Sequence, residues 1–186
     1  MKLIFVTGNS TKHTFARHKL YPFKVELIQK SLDLEEIQSD SIEKIAQHKA
    51  DQAYKELKEP LIVSDHGWFI PALNGFPGAY MKYVNEWFTP RDFLNLMEPY
   101  EDRRVILKQV ICFTNGEETK LFVHEAEGKI LRVSKGGGLT SSTTVISYSE
   151  DGKSIAEVNL ETGKSAVDDS ILWKELADWL KENQLR

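Results

Sequence analysis

The stretch Leu3-Ile4-Phe5-Val6-Thr7-Gly8-Asn9-Ser10-Thr11-Lys12 joins an apolar run to a Gly-Asn break and a lysine. Leu3–Val6 has the β-branched and aromatic composition of a buried strand, and Gly8-Asn9 interrupts it. A helix is expected to begin at Ser10 or Thr11 and to end near His18. Its first turn offers free N–H groups and the positive end of the helix dipole. The stretch therefore predicts a strand-loop-helix start that suits a phosphate chain.

The side chains of this loop support the same interpretation. Gly8 allows a sharp turn and a close approach to a ligand. Thr7 and Asn9 add side-chain donors, and Lys12 adds a point charge. The spacing is not that of a Walker A loop. A strand-to-helix turn with ordinary capping accounts for the same residue types, so the residues alone leave both interpretations open.

A second strand is expected at Lys24–Ile28, and a long amphipathic helix at 41–57, with its start marked by Asp40 and Glu43. Leu61–Val63 is the next predicted strand, and strand, helix and strand in this order favour a parallel arrangement. This strand is expected to deliver Ser64-Asp65-His66-Gly67 at its C-terminal end. Enzymes with parallel sheets place working groups at that end.

Two carboxylates are candidates for a metal site. Glu36 lies in the acidic segment 31–40, directly after Glu35, and Asp65 follows the predicted third strand. Phosphoryl chemistry needs a hard cation, and Mg²⁺ favours one or two carboxylates together with substrate oxygens. Solvated acidic residues of two loops are the alternative, and the residues do not decide between them.

The C-terminal half predicts strands, a hairpin and two helices. Val105–Thr114 and Thr119–Ile130 are strand-like and meet at Asn115-Gly116, a strong hairpin signal. Thr89-Pro90-Arg91 begins one helix, and the last helix is expected at about 170–183. The segment Ser134–Gly138 suits either a second anion-binding nest or a flexible glycine hinge.

Composition limits the class of protein. The chain has 186 residues and a net charge of -4, which predicts one domain, or two closely packed lobes, and excludes a general nucleic-acid binder. No apolar run is long enough to span a membrane. The single cysteine, Cys112, cannot form an intramolecular disulfide and is expected to be buried in its apolar run. The cytoplasm is the expected compartment.

Several of these segments together resemble the inosine/xanthosine triphosphate pyrophosphatase family. The resemblance runs from Thr7-Gly8-Asn9-x-x-Lys12 through Leu34–Gln38 and Ser64–Gly67 to the long, specific run Ala72-Leu73-Asn74-Gly75-Phe76-Pro77-Gly78-Ala79-Tyr80. Ala156-Glu157-Val158 with Lys164 resembles a further motif. The resemblance implies a single α/β domain, 1–186, with an elongated mixed β-sheet and flanking helices that form two lobes around a central cleft.

The resemblance also implies an activity and its residues. Members hydrolyse purine nucleoside triphosphates with deaminated bases to the monophosphate and pyrophosphate, use Mg²⁺ and are generally homodimers. By position, Glu36 and Asp65 bind Mg²⁺, and Asp65 and Lys12 are catalytic. The implied substrate-binding residues are Thr7, Gly8, Asn9, Lys12, His66 and Lys164.

The sequence departs from the family in four places. Ser64 and His66 replace an acid and a hydroxyl residue, Thr140–Thr144 replaces Phe-Gly-Trp/Tyr-Asp-Pro, and Asp168-Asp169-Ser170 replaces Ser-His-Arg. Asp168 and Asp169 are predicted to cap the last helix instead. These exchanges predict altered or relaxed base recognition. The alternatives are a non-catalytic relative that binds a phosphorylated ligand, and an acid–base role for His66 on another phosphate ester.

Overall fold

The computed structural model of the protein describes residues 1–138 and 140–183, which form α-helices and β-strands. The strands are β1 (Lys2–Val6), β2 (Glu26–Lys30), β3 (Leu61–Phe69), β4 (Pro77–Gly78), β5 (Arg104–Thr114), β6 (Thr119–Ile130) and β7 (Ile146–Ser147). The helices are α1 (Ser10–Leu20), α2 (Ile42–Leu57), α3 (Met81–Trp87), α4 (Pro90–Leu96), α5 (Ile155–Thr162) and α6 (Ser170–Glu182).

The strands form one mixed sheet in the order β2-β1-β3-β5-β6-β7, with β4 paired to β3. β1 is parallel to both β2 and β3, with Leu3 opposite Leu27 and Phe5 opposite Ile62. β3 and β4 are antiparallel, as are β6 and β7. The predicted α/β class, the parallel arrangement at the N-terminus and the pair of strands on either side of Asn115-Gly116 are confirmed.

β3 is longer than the sequence predicted. We expected it to end at Val63, yet it continues through Ser64, Asp65 and His66 to Phe69. The extension has a partner, because Trp68 and Phe69 pair with β4. Asp65 therefore lies within a strand, past the residues that pair with β1, and not in a loop after it.

The start of α2 also differs from the prediction. Ser41, not Asp40, is the N-cap, and its Oγ accepts from the backbone N of Lys44 at 3.2 Å. Ser41 has the extended backbone that an N-cap requires, with φ −99° and ψ 115°. The predicted helix start at Thr89 is confirmed, because Thr89 and Asp92 form a reciprocal capping box.

The chain divides into two compact units, each with its own apolar core. The first unit holds residues 1–65, 109–124 and the segment from Asp169 onward, and its core includes Phe5, Ile62, Phe113 and Leu176. The second holds 66–108 and 125–168, and Phe93 lies in its core. The description as a single domain with two lobes stays a prediction.

Close packing accounts for two of the three glycines in Ser134–Gly138. A Cβ at Gly136 would lie 2.9 Å from Glu157 Cγ, and a Cβ at Gly138 would overlap Thr143 Oγ1. The Lys135 ammonium donates to the carbonyl of Gly152 at 2.7 Å. A Cβ at Gly137 would meet nothing within 4 Å, so the anion nest and the hinge both stay predictions for this segment.

Two further expectations concern compartment and chemistry. In the residues that the structure describes, no helix has the length and apolar character to cross a membrane. The cytoplasmic location stays a prediction. Cys112 is fully buried, as expected, and burial raises the pKa of its thiol to about 12.

Gly116 provides a test of the packing around the β5–β6 turn. Its φ of +88° disfavours other residues, and a Cβ there would overlap the ring of Tyr54. We expect Gly116→Ala to lower the free energy of unfolding by about 2–4 kcal/mol, measured by urea denaturation. Gly163→Ala is the control, since its φ is +63° but a Cβ meets nothing within 4 Å. Gly163→Ala should lower the free energy of unfolding by about 1 kcal/mol. Equal losses of stability in the two variants would show that Tyr54 does not constrain the turn.

Candidate functional site

The loop between β1 and α1 is a capped turn. Asn9 is the N-cap of α1, and its Oδ1 accepts from the backbone N of Lys12 at 3.0 Å. Thr7 Oγ1 accepts from the backbone N of Asn9 at 3.1 Å. The side-chain oxygens of Asn9 and Thr7 therefore accept hydrogen bonds inside the loop. The Asn9 NH2 and the Thr7 O–H have no acceptor among the described residues, so capping is compatible with binding an anion.

Three backbone donors of this loop remain available. Within the described residues, the N–H groups of Gly8, Ser10 and Thr11 have no hydrogen-bond acceptor, and all three residues are exposed. Unpaired N–H groups at a helix start attract anions. Gly8 has no left-handed φ, but a Cβ there would lie 3.3 Å from Ser31 Oγ. The absence of a side chain at Gly8 thus lets the loop pack closely against Ser31.

Lys49 connects the two predicted metal ligands. Its Nζ lies 2.7 Å from Glu36 Oε2 and 2.7 Å from Asp65 Oδ2. The side chains of Lys49 and Asp65 are each 18% exposed, whereas that of Glu36 is 47% exposed. The acidic segment, α2 and β3 therefore each contribute one charged side chain to a single cluster.

Sequence analysis missed Lys49, although a signal for it exists. Lys49 lies three residues after Ala46 and four before Ala53, and both alanines are fully buried. These spacings place residues on the same face of a helix. A lysine on the buried face of an amphipathic helix needs a partner, and that requirement could have identified it.

Lys12 belongs to the same electrostatic environment. Burial lowers its pKa, the nearby Lys49 lowers it further, and Asp65 and Glu36 offset only part of this effect. Burial also acts to lower the pKa of Lys49, but its contacts with Asp65 and Glu36 outweigh burial and raise it. The Lys12 ammonium forms no ion pair within the described residues. It is thus a desolvated cation suited to an anionic ligand.

The donor set around the Lys49 ammonium fits a hard divalent cation. Two carboxylates already converge on one positive group, and carboxylate oxygens are ligands that Mg²⁺ prefers. Among the residues described, no three His, Cys, Asp or Glu side chains are grouped for a metal. Protein would thus supply two ligands and leave the remaining positions to water or phosphate oxygens, as is usual for Mg²⁺.

Two other predicted residues lie in the second unit. His66 precedes Gly67 on β3 and packs edge-on against Trp68, with ring centroids 5.8 Å apart. Since neighbours in a strand point to opposite faces, His66 shares a face with Trp68 and not with Asp65. Lys164 is exposed and follows Gly163, the C-cap of α5. The structure thus brings Lys12, Glu36 and Asp65 together in the first unit, while His66 and Lys164 belong to the second.

The hydroxyl-rich segment Thr140–Thr144 is a packed turn. Ser142 and Thr144 are buried. Thr143 Oγ1 donates to the carbonyl of Thr140 at 2.7 Å, and Thr144 Oγ1 donates to that of Ser141 at 3.0 Å. The hydroxyl groups of Thr143 and Thr144 are therefore engaged by backbone carbonyls of the same segment.

Asp169 occupies the N-cap position of α6 but does not cap it as predicted. Its Oδ2 accepts from the indole N–H of Trp173 at 2.9 Å, and its Oδ1 lies 3.3 Å from Lys19 Nζ. Lys19 also donates to Ser170 Oγ at 2.6 Å. The carboxylate therefore ties α6 to α1, and Lys19 balances its charge.

Comparison with known proteins agrees with these features. The model of the Ham1 family matches residues 3–169. The chain belongs to the Ham1 family. A relative from Methanosarcina acetivorans named dITP/XTP pyrophosphatase is 40% identical over 138 residues, which cover 74% of this chain and 75% of the relative. One of the same name from Thermococcus kodakarensis is 31% identical and covers 98% and 99%.

Solved structures of the Ham1 family show the same fold. The Staphylococcus aureus Ham1 protein superposes with a TM-score of 0.79 at 23% identity, and covers 98% of this chain and 100% of its own. The resemblance to a family of nucleoside triphosphate hydrolases is therefore confirmed, as is the fold class that it implied.

Lys49→Met tests how the two carboxylates are held. Without the ammonium they repel each other, so we expect the free energy of unfolding in EDTA to fall by about 1–3 kcal/mol. Addition of Mg²⁺ should raise the melting temperature of the variant more than that of the wild type, because no ammonium competes for the carboxylates. Thermal unfolding with and without the cation measures both effects.

Lys174→Met is the matched control for Lys49→Met. Lys174 pairs with Asp178 on the exposed surface of α6. Loss of an exposed pair should cost under about 1 kcal/mol and leave the response to Mg²⁺ unchanged. If Mg²⁺ raised the melting temperatures of Lys49→Met and the wild type equally, that result would contradict the pairing of Lys49 with the two carboxylates.

Proposed function

We propose that the chain is a Mg²⁺-dependent nucleoside triphosphate pyrophosphatase that releases a nucleoside monophosphate and pyrophosphate. The observation that carries this proposal is the cluster of Glu36, Lys49 and Asp65 with the desolvated Lys12 in one unit. The names of the relatives from Methanosarcina acetivorans and Thermococcus kodakarensis support the reaction.

In this proposal the β1–α1 loop binds the triphosphate. Its unpaired N–H groups and Lys12 provide donors and positive charge for phosphate oxygens. Thr7 and Asn9 offer their remaining side-chain donors. Positioning and charge neutralisation provide most of the catalysis in phosphoryl transfer, and this loop can supply both.

Glu36 and Asp65 are the proposed metal ligands. When bound, Mg²⁺ neutralises charge that develops on the phosphate oxygens. Asp65 orients the attacking water and accepts its proton as the water oxygen bonds to phosphorus. The phosphoanhydride bond between the α and β phosphates breaks, and pyrophosphate leaves. In the free protein Lys49 keeps the two carboxylates together.

Base recognition is proposed to be relaxed. The segments 140–144 and 168–170 stand where the resemblance places base-recognition groups, and several of their polar atoms are engaged within the segment or by neighbouring side chains. Deaminated purines such as ITP and XTP are the proposed substrates, in line with the names of the relatives. Standard nucleotides should be rejected less strongly than in a site that hydrogen-bonds the base.

Pyrophosphate release from ITP, XTP, GTP, ATP and pyrimidine triphosphates, with Mg²⁺ or Mn²⁺, tests this function. We expect turnover that EDTA abolishes, and Asp65→Asn and Glu36→Gln should each reduce kcat/KM at least about a hundredfold. Glu35→Gln is the matched control. Glu35 neighbours Glu36, and its backbone N–H and carbonyl, which the substitution keeps, form hydrogen bonds with the side chain of Gln52. Glu35→Gln should retain activity.

The same assay can contradict the proposal. No product from any nucleotide at high protein concentration would exclude catalysis. Thermal stabilisation by a nucleotide without product would instead identify a non-catalytic relative that binds phosphorylated ligands.

A homodimer is also proposed, with α3 as its contact. Tyr80, Tyr83 and Trp87 follow helical spacing and are 44%, 45% and 71% exposed, an unusual apolar stripe for a free surface. Lys82 and Glu86 flank it. If two copies of α3 pack antiparallel about a two-fold axis, Lys82 of each faces Glu86 of the other, so the surface is complementary to itself.

Trp87→Glu tests this contact. Two added charges would face each other across the axis, so we expect a monomer by size-exclusion chromatography with light scattering where the wild type is a dimer. Leu160→Glu is the control, because Leu160 is 82% exposed on α5 and lies outside the stripe. A monomeric wild type, or a dimer unaffected by Trp87→Glu, would contradict the proposal.

A further inference from the structure

Gln29 holds the loop at the end of β1 by its backbone. The side-chain Nε2 of Gln29, on β2, donates to the carbonyl of Thr7 at 2.9 Å. The neighbouring Lys30 accepts from the backbone N of Thr7 through its carbonyl, also at 2.9 Å. Both backbone groups of Thr7 are therefore tied to β2, one by a side chain and one by the strand itself.

The bond from Gln29 fixes a direction as well as a position. The Thr7 carbonyl and the Gly8 N–H belong to one peptide plane, and in a trans peptide they point in opposite directions. With the carbonyl on Gln29, the Gly8 N–H must point away from β2. In the part of the chain that the structure describes, this N–H has no acceptor.

The residue types of the loop do not fix this plane by themselves. Rotation of the Thr7–Gly8 peptide changes ψ of Thr7 and φ of Gly8. Glycine tolerates φ of either sign, so a rotated peptide would meet little resistance at Gly8. A rotated peptide would present a carbonyl oxygen, which repels phosphate, in place of the N–H. An external donor is therefore required to keep the loop in the anion-binding orientation.

We propose that Gln29 is a positioning residue that orients the Gly8 N–H toward the phosphate chain of the substrate. The inference rests on the proposed function in that the ligand is a polyphosphate. Gln29 acts through the Thr7–Gly8 peptide and does not contact the reacting atoms. No acid or base chemistry is required of it.

Gln29 is not needed to anchor the loop to the sheet. The Thr7 N–H remains bonded to Lys30, and His13 Nε2 lies 3.1 Å from the carbonyl of Leu27, which ties the first turn of α1 to β2. Removal of the Gln29 amide should therefore change the orientation of one peptide while the fold persists.

The test compares Gln29→Met with the wild type, using inorganic triphosphate as the probe. Methionine keeps the length of the side chain and removes the donor. We expect calorimetric affinity for inorganic triphosphate with Mg²⁺ to fall about 3- to 10-fold, the effect of one lost hydrogen bond. With a nucleotide substrate, KM should rise by a similar factor while kcat changes less than about twofold, because the contact is to bound phosphate and not to the reacting centre.

Gln109→Met is the matched control. Gln109 is also a partly buried glutamine of the first unit, and its Nε2 lies 3.5 Å from Asp169 Oδ2, far along the chain from the loop. It should leave triphosphate affinity unchanged. Gln29→Glu, which keeps the shape but turns an acceptor toward the Thr7 carbonyl, is a second variant and should weaken binding at least as much as Gln29→Met.

The amide resonance of Gly8 provides a readout that does not depend on turnover. In the wild type, inorganic triphosphate should shift this resonance strongly, and in Gln29→Met the shift should be much reduced. Unchanged affinity and an unchanged Gly8 shift in Gln29→Met would overturn the inference, as would a wild type that does not bind triphosphate. Triphosphate binding that depends on Gln29 in a protein without pyrophosphate release would support the inference while the proposed function fails.

Discussion

The arrangement of the site depends on one ammonium group between two carboxylates. Glu36, Lys49 and Asp65 come from an acidic segment, a helix and a strand, and the salt bridges of Lys49 connect the three side chains. Two carboxylates this close would repel each other, and the side chain of Asp65 is only 18% exposed, so a cation stabilises the arrangement. The α2 helix provides that cation by placing a lysine on its buried face. In the proposed function the same pair of carboxylates accepts a divalent ion, and Lys12 provides positive charge for a polyphosphate.

Features set by neighbouring residues were predictable from sequence. The strand-loop-helix start and the two strands around Asn115-Gly116 lie where they were expected, because turn residues and apolar runs determine them locally. Glu36 and Asp65 were predicted as a pair, and the structure brings both to one lysine. The resemblance to a family contributed to that pairing, since residue types alone left it open.

Features set by distant partners were not predictable. β3 passes through Ser64 and Asp65 because β4 pairs with its end, and no local signal extends a strand through Ser-Asp-His-Gly. Asp169 looked like a helix cap, yet its carboxylate is engaged by Lys19 and Trp173. In each case a partner outside the motif itself prevails over the local preference, which amounts to only about 1 kcal/mol for a cap.

The β1–α1 loop and the segment Thr140–Thr144 differ in how their polar groups are used. Around the β1–α1 loop, three N–H groups have no acceptor among the described residues and one lysine is desolvated, which suits the phosphates of the proposed substrates. In Thr140–Thr144 the hydroxyl groups of Thr143 and Thr144 donate to carbonyls of the same turn, and that of Ser141 donates to Asn85 Oδ1. A site discriminates strongly only when a wrong ligand leaves its buried polar groups unpaired, and internally satisfied groups impose no such penalty. If the chain acts on nucleoside triphosphates as proposed, affinity therefore rests on the phosphate chain, and discrimination among bases rests on shape, which separates similar ligands by roughly 10- to 200-fold.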